Sequence, residues 1–187
     1  MKAVLTVLVC CLFFTEVQAQ VKADTFSERF FSFLNSYNND TLKSMQGFDF
    51  SFRNTAIPLR GTTSEKAFEA YLFTAVRYRK QYRIRKTIDA ARRSFLVEEQ
   101  GAYPRALGVA YPEFIFTLTL DEQGKLGALD IDTTKNYPVY RHQLQEQSKR
   151  FESWRKKKMR QAGGLEKYGD ERPEQLDIIL KEYEKQR

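Results

Sequence analysis

The clearest pattern along the chain is an alternation of apolar and polar residues from Tyr111 to Asp132, YPEFIFTLTLDEQGKLGALDID. Apolar side chains recur at every second position before the turn, which predicts a strand with one strongly apolar face. The tetrapeptide from Asp121 to Gly124 suits a type I turn, with Gly124 in the left-handed region of a bulged three-residue loop. The segment that begins at Lys125 is therefore predicted to return as the second strand of an antiparallel hairpin.

The segments before this hairpin show helical periodicity first and strand periodicity later. Apolar residues at helical spacing predict three helices, at residues 24–37, 41–46 and 64–77. Alternation predicts strands at residues 48–53, 82–89 and 94–99, a weak strand at 56–60, and a loop at 101–108. Strands joined by short links favour a curved antiparallel sheet with helices packed on one face, an α+β fold.

The chain from residue 135 onward has a different composition and predicts a basic helical extension rather than a second globular domain. A helix over residues 140–161 carries Leu144, Phe151 and Trp154 among many charged residues. A second amphipathic helix begins after Pro173, a residue suited to a first helical position. The predicted boundaries are a leader at 1–19, an α+β domain at 20–134 and the extension at 135–187.

The first 19 residues have the composition of a cleavable secretory signal peptide. Lys2 precedes the apolar run AVLTVLVCCLFF, and the motif VQA precedes Gln20. This run is too short to span a bilayer comfortably. Both cysteines, Cys10 and Cys11, lie within it, so the mature chain is expected to have no disulfide and no thiol chemistry. We therefore expect an exported protein, periplasmic or secreted, that needs no cofactor.

The order of the predicted elements resembles the nuclear-transport-factor-2-like (NTF2-like) superfamily, which includes SnoaL-like and ketosteroid-isomerase-like proteins. The segments that carry the resemblance, between Phe26 and Asp132, are FSERFFSFLNSYNNDTLKSM, GFDFSFRN, RGTTSEKAFEAYLFTA and FIFTLTLDEQGKLGALDID. The resemblance implies a cone in which a bent sheet wraps the long helix and leaves a pocket at the wide end. Members include isomerases, cyclases, dehydratases, ligand binders and scaffolds, often dimeric through the outer sheet face, so the fold alone does not settle function.

The candidate acid for catalysis is Asp130. Isomerase-like members place a catalytic carboxylate just after the first long strand, where this chain has Arg53 and Asn54. A three-residue hairpin loop would place Asp130 opposite Phe116 on the aromatic face, where desolvation would raise the pKa of the carboxyl group. A two-residue loop would place Asp130 on the outer face instead. In either case a structural ion pair with an arginine such as Arg53 is the simpler interpretation.

Five residues are candidates for binding a ligand inside the cone. The hydroxyls of two tyrosines towards the ends of their helices need partners when buried. The other three candidates are the predicted acid and the two residues expected beside it. The five candidates are Tyr37, Arg53, Tyr71, Phe116 and Asp130. The only histidine, His142, lies in the extension, so no histidine cluster or histidine-dependent triad is expected in the core domain, and no metal site is predicted.

The extension contains a concentrated positive charge. From Lys149 to Arg160 there are seven cations and one anion, a local charge of +6 against +7 for the whole chain. The predicted partner-binding residues are Lys149, Arg150, Trp154, Arg155, Lys156, Lys157 and Lys158. They would suit an anionic envelope component or an acidic protein, with nucleic acid the least favoured partner. The alternative interpretation is a solvated helix whose aromatic residues pack back on the domain.

Three functional hypotheses follow. The leading one is an exported, non-catalytic domain that binds a small hydrophobic ligand or an envelope partner protein. The alternative is a SnoaL-like pocket enzyme in which Asp130 performs acid–base chemistry on a hydrophobic substrate. The third is a structural homodimer, in which Ile115, Leu129 and Ile131 make the outer sheet face apolar.

Overall fold

A computed structural model describes residues 25–57, 61–161 and 172–187. Their helices are α1 Thr25–Asn35, α2 Asn39–Ser44, α3 Ser64–Arg77, α4 Ala102–Leu107, α5 Tyr137–Gln161 and α6 Pro173–Gln186. Their strands are β1 Gln46–Asn54, β2 Gln81–Asp89, β3 Ser94–Gln100, β4 Glu113–Leu120 and β5 Leu126–Thr133. The predicted signal peptide lies outside the described residues. None of the described helices is both long and apolar enough to cross a membrane.

The five strands form one sheet in the order β1-β5-β4-β3-β2. Neighbouring strands are antiparallel except β1 and β5, which run parallel. Register shifts interrupt three of the four ladders, and such bulges bend and twist a strand locally. The predicted α+β fold with a curved sheet is confirmed, except that β1 joins the otherwise antiparallel sheet as a parallel neighbour of β5.

Aromatic side chains fill the space between the inner face of the sheet and helices α1 and α3. Phe30, Phe68, Phe95 and Phe116 are among the largest fully buried side chains of the chain. Phe31 of α1 packs on the sheet through ring contacts with Phe95 of β3 and Phe116 of β4. The apolar stripes that predicted α1 and α3 are therefore the stripes that pack on the sheet.

The predicted loop at residues 101–108 contains a helix, α4, which belongs to a second hydrophobic core with α5 and α6. Pro104 lies in the first turn of α4, where its missing N–H is not needed, and Gly108 ends the helix in a left-handed conformation at φ 66°. Phe151 of α5 and Ile179 of α6 are fully buried in this core. The extension therefore covers one end of the α+β domain.

The weak strand predicted at residues 56–60 is not formed in its described part. The side-chain oxygen of Asn54 accepts hydrogen bonds from the backbone N–H groups of Ala56 at 3.0 Å and Ile57 at 3.3 Å. This turn directs the chain away from the sheet at the end of β1. Residues 58–60 lie outside the described part.

Candidate functional site

Asp130 lies on the outer face of the sheet, opposite Thr117 rather than Phe116. Its Oδ1 atom accepts a hydrogen bond from Arg53 Nε at 2.7 Å. The same guanidinium donates to both carboxylate oxygens of Asp132, at 2.9 and 3.0 Å. The prediction of Asp130 on the aromatic face is therefore wrong, whereas its pairing with Arg53 is confirmed. The enzyme hypothesis thus loses the acid on which it depends.

A β-bulge at Gly127 causes this difference. The turn forms as predicted, with Gly124 at a φ of 74°. Leu126 keeps its predicted partner in β4, but the next pair joins Thr119 to Ala128, so Gly127 is an extra residue in β5. Because side chains alternate along a strand, one extra residue exchanges the two faces of everything that follows.

Because of the same bulge, two of the three residues predicted to form an apolar dimer face lie in the core instead. Leu129 and Ile131 point into the core with 0% and 1% of their surface exposed. Ile115 is the only one of the three predicted face residues that is not buried. The outer face beside it carries the ion pairs of Arg53 instead of a continuous apolar surface.

Phe116 is part of the packed core rather than the wall of a pocket. It is fully buried, and its ring centre lies 5.6 Å from that of Phe31 and 5.9 Å from that of Tyr82. On the other side of the core, Phe50 and Phe68 make a comparable contact at 5.4 Å. Aromatic rings therefore occupy the position in which the resemblance implied a ligand.

The two candidate tyrosines lie apart. Tyr37 Oη donates to the backbone oxygen of Lys80 at 3.0 Å and accepts from Gln81 Nε2 at 3.0 Å, so it joins the end of α1 to β2. Tyr71 is buried, and its hydroxyl faces that of Tyr82 without reaching good hydrogen-bond geometry with any described residue. It borders a small cavity of about 100 Å³ beside Phe52. The five predicted ligand-binding residues therefore do not meet in one site.

A largely buried ion pair lies where the chain enters β2, beside β3. Lys80 Nζ and Glu99 Oε1 are 2.7 Å apart, and their side chains are only 14% and 13% exposed. Burial raises the pKa of the surrounding tyrosines, and the negative charge of Glu99 raises it further. The tyrosines affected are Tyr71, Tyr82, Tyr137 and Tyr140.

A cleft of about 330 Å³ opens next to this ion pair, between the loop before β4 and the first turns of α5. We call it the tyrosine cleft because Tyr111, Tyr137 and Tyr140 line it. Its volume lies at the lower end of the range for small-molecule sites, roughly 300–1,000 Å³. It is therefore large enough for a compact ligand, unlike the cavity beside Tyr71.

The walls of the tyrosine cleft combine apolar rings with neutral hydroxyls. The ring centres of Tyr137 and Tyr140 are 5.9 Å apart, and Tyr137 also packs on Phe114 at 5.5 Å. Burial raises the pKa of both tyrosines above the ordinary value, so each keeps its proton at neutral pH. Thr134, which also lines the cleft, has a buried Oγ1 atom without a hydrogen-bond partner in the described part of the chain.

Two carboxylates border the same cleft. Glu98 and Glu113 are directly paired across β3 and β4. Glu98 Oε1 accepts from Gln100 Nε2 at 2.6 Å, and its other oxygen lies 4.0 Å from Arg85 Nη1. Nowhere among the described residues do three or more histidine, cysteine or acidic side chains form a group that could hold a metal ion.

The aromatic residues of the basic helix pack back on the protein, as the alternative interpretation expected. Phe151 is 1% exposed. Trp154 stacks on it at 5.9 Å, contacts Tyr183 of α6 at 5.1 Å and donates from Nε1 to Gln186 Oε1 at 3.0 Å. Trp154, one of the predicted partner-binding residues, thus joins α5 to α6.

The cations of this helix divide into two groups. Lys149, Arg155 and Lys158 have acidic neighbours, at 2.8 Å for Lys149 and 3.6 Å for the other two. The second group is exposed and makes no ion pair with any described residue. We call it the basic stripe, and its members are Arg150, Lys156, Lys157 and Arg160. Of the predicted partner-binding residues, Arg150, Lys156 and Lys157 belong to the basic stripe, and the paired Lys149 lies beside it.

The sequence analysis missed the residues around the cleft, although part of the pattern was present. Phe95, Val97 and Glu99 alternate along β3, which places Glu99 on the buried face. Tyr137 and Tyr140 are separated by one helical turn, which places both on one side of α5. No pattern along the chain, however, indicates that α5 docks beside Glu99.

No known protein family matches the sequence, and no curated protein matches it significantly. Three solved structures have similar folds. An NTF2-like protein of unknown function from Cytophaga hutchinsonii is 15% identical at a TM-score of 0.42, over 66% of this chain and 98% of that chain. AusH from Aspergillus nidulans is 14% identical at a TM-score of 0.41, over 55% of this chain and 77% of that chain. A cystatin-fold protein from Novosphingobium aromaticivorans is 10% identical at a TM-score of 0.40, over 59% of this chain and 97% of that chain. These are likenesses of overall fold at low sequence identity.

Proposed function

We propose that the protein is an exported, non-catalytic binding protein that holds a small, largely apolar ligand in the tyrosine cleft. The observation that carries this proposal is the cleft itself, an opening of about 330 Å³ walled by tyrosine rings beside a cone whose interior is filled. Aromatic walls with a few polar groups are typical of small-molecule sites. Export rests on the composition of the first 19 residues.

The placement of the charged residues favours binding over acid–base chemistry. Arg53 occupies the region in which isomerase-like proteins carry a carboxylate, and it holds Asp130 on the outer face. Glu99, the carboxylate nearest the core tyrosines, is already bonded to Lys80. Both carboxylates are therefore already held by a cationic side chain of the protein.

The test is binding of the neutral fluorescent dye N-phenyl-1-naphthylamine to the mature protein. We expect saturable binding at one site, lost in Val139→Trp because the larger side chain occupies the cleft mouth. Ile178→Trp is the matched control, since Ile178 is an exposed residue of α6. Equal dye binding by Val139→Trp and the wild type would contradict the proposal.

The basic stripe favours a second candidate function, attachment to an anionic component of the cell envelope. Its cations extend over about 15 Å of α5, and each Lys or Arg near an anionic surface contributes roughly 1 kcal/mol. The Lys156→Glu/Lys157→Glu variant should lose binding to phosphatidylglycerol vesicles, measured by sedimentation. The Arg83→Glu/Lys86→Glu variant, with the same charge change on exposed positions of β2, should keep it. Equal losses of vesicle binding in both variants would indicate a general charge effect and would contradict a specific role of the basic stripe.

A further inference from the structure

We infer that the tyrosine cleft selects ligands with a positive charge, namely an organic ammonium group on an apolar body. This inference rests on the proposed function, because it assigns a ligand class to the same cleft. It is carried by the charge distribution around the cleft and by the arrangement of its aromatic walls.

The charge of the cleft is opposite to that of the protein. The chain has a net charge of +7, yet the side chains that line the cleft include two carboxylates and no lysine or arginine. Glu98 and Glu113 face each other directly across two antiparallel strands. Like charges in this position destabilise a sheet, and a bound cation would relieve the repulsion.

The described residues compensate this negative charge only in part. Glu98 has the amide of Gln100 at 2.6 Å and a guanidinium nitrogen of Arg85 at 4.0 Å. Glu113 forms no ion pair with any described residue. A ligand cation could therefore pair with the Glu113 carboxylate without displacing a cationic side chain of the described residues.

The aromatic walls suit the same ligand. The face of a phenol ring attracts cations, and such contacts contribute from about 0.5 to 2 kcal/mol as the site becomes less hydrated. Tyr111, Tyr137 and Tyr140 provide three such rings around one opening. Tyr137 and Tyr140 are neutral at physiological pH, and burial raises their pKa further, so they add no negative charge to that of the two carboxylates.

The walls also favour an organic cation over a metal. A hard divalent cation prefers six or more oxygen ligands, and the cleft offers two carboxylates beside rings, Pro112 and Val139. Asn136 and Gln143 also line the cleft and add neutral polar side chains to its wall. A quaternary or primary ammonium with an aromatic or alicyclic body matches this combination.

The test compares three probes of similar size: benzyltrimethylammonium, neutral benzyl alcohol and anionic phenylacetate. We expect the cation to bind at least about tenfold more tightly than the other two, measured by amide shifts of α5 in NMR spectra. Glu113→Gln should remove most of this preference, because it deletes the unpaired carboxylate and leaves the packing unchanged. Glu122→Gln, an exposed acid in the β4–β5 turn, is the matched control and should keep the preference.

Equal binding of the three probes, or a preference that survives Glu113→Gln, would overturn the cation inference. No binding of benzyltrimethylammonium would also overturn it. The neutral dye separates this failure from failure of the proposed function. If Val139→Trp abolishes dye binding, the cleft remains a ligand site and only the assigned charge is wrong.

Discussion

The Nε atom of Arg53 lies 2.7 Å from Oδ1 of Asp130, across the one parallel strand pair of the described sheet. The remaining guanidinium nitrogens bind both oxygens of Asp132, so one side chain of β1 holds two carboxylates of β5. This contact fixes β1 at the edge of the sheet and keeps Asp130 away from the core.

Removing this contact should affect stability slightly and ligand binding not at all. In Arg53→Ala we expect the free energy of unfolding to fall by about 1 kcal/mol, because the pairs are solvent-exposed and screened. The loss should shrink at high salt when urea unfolding is measured. Asp130→Asn should bind the neutral dye as the wild type does. Weaker dye binding by Asp130→Asn would indicate that Asp130 contributes to the ligand site.

Deleting Gly127 should destroy the fold. The deletion restores the register in which Asp130 faces the aromatic core and Leu129 and Ile131 face water, and a buried unpaired charge costs several kcal/mol. Gly127→Ala keeps the register, and its added Cβ would lie 3.3 Å from the backbone nitrogen of Asp121, so we expect a loss of only about 1 kcal/mol. Circular dichroism during urea unfolding distinguishes the two variants. Equal stability of both would disprove the role of the bulge.

Truncating Phe151 should loosen the second core. Phe151→Ala removes a fully buried ring, and such changes lower the free energy of unfolding by roughly 3–5 kcal/mol. The emission of Trp154, the only tryptophan, should shift to longer wavelength as α6 separates from α5. Ile178→Ala, at an exposed position of α6, should change stability by less than about 0.5 kcal/mol. Similar effects of the two variants would mean that α6 does not dock on α5.

Stability should fall at alkaline pH because of the buried tyrosines. Burial raises the pKa of Tyr71 and Tyr82 well above the ordinary value of 10.0, so only the unfolded chain releases these protons as the pH passes 10. The stabilising contribution is complete below pH 10 and is lost above it, at about 1.4 kcal/mol per pH unit for each tyrosine. Tyr71→Phe should reduce this slope by about that amount, measured by urea unfolding between neutral and alkaline pH. An unchanged slope would show that the Tyr71 phenol is not shielded from water.

At neutral pH, Tyr71→Phe should not destabilise the protein. The hydroxyl of Tyr71 interacts only weakly with that of Tyr82 and has no partner of good hydrogen-bond geometry in the described part of the chain, so its removal deletes a poorly satisfied buried group. We expect the free energy of unfolding to stay constant or rise by about 1 kcal/mol. Tyr37→Phe is the contrast, because the Tyr37 hydroxyl makes two hydrogen bonds and its loss should be destabilising.

Local sequence patterns predicted most helices and strands of the fold. They did not predict features, such as the bulge in β5, that involve contacts between distant parts of the chain. The helix at Ser64–Arg77 and the turn at Gly124 depend on periodicity and backbone preference within a few residues. The bulge at Gly127 depends instead on a contact with the end of α2, since Leu126 donates its N–H to the backbone oxygen of Met45 at 2.8 Å. No short-range pattern encodes that contact, and so the direction of Asp130 could not be predicted.

The candidate site was missed for the same reason. Periodicity predicted that α5 is a helix, but the position of Tyr140 beside Glu99 depends on how the extension docks. The positive charge of α5 was evident from composition. Which cations remain free depends on acidic partners in α6, such as Glu182 beside Lys158.

The parallel pairing of β1 with β5 has a consequence for the order of folding. Arg53 and Asp130 are 77 residues apart, whereas β2 to β5 can pair successively through short connections. Closing a long loop costs conformational entropy before its contacts form, and parallel pairs of high sequence separation form slowly. We therefore expect β1, the first of these strands to leave the ribosome, to be the last to join the sheet, with its aromatic residues lacking their partner strand until β5 has been synthesised.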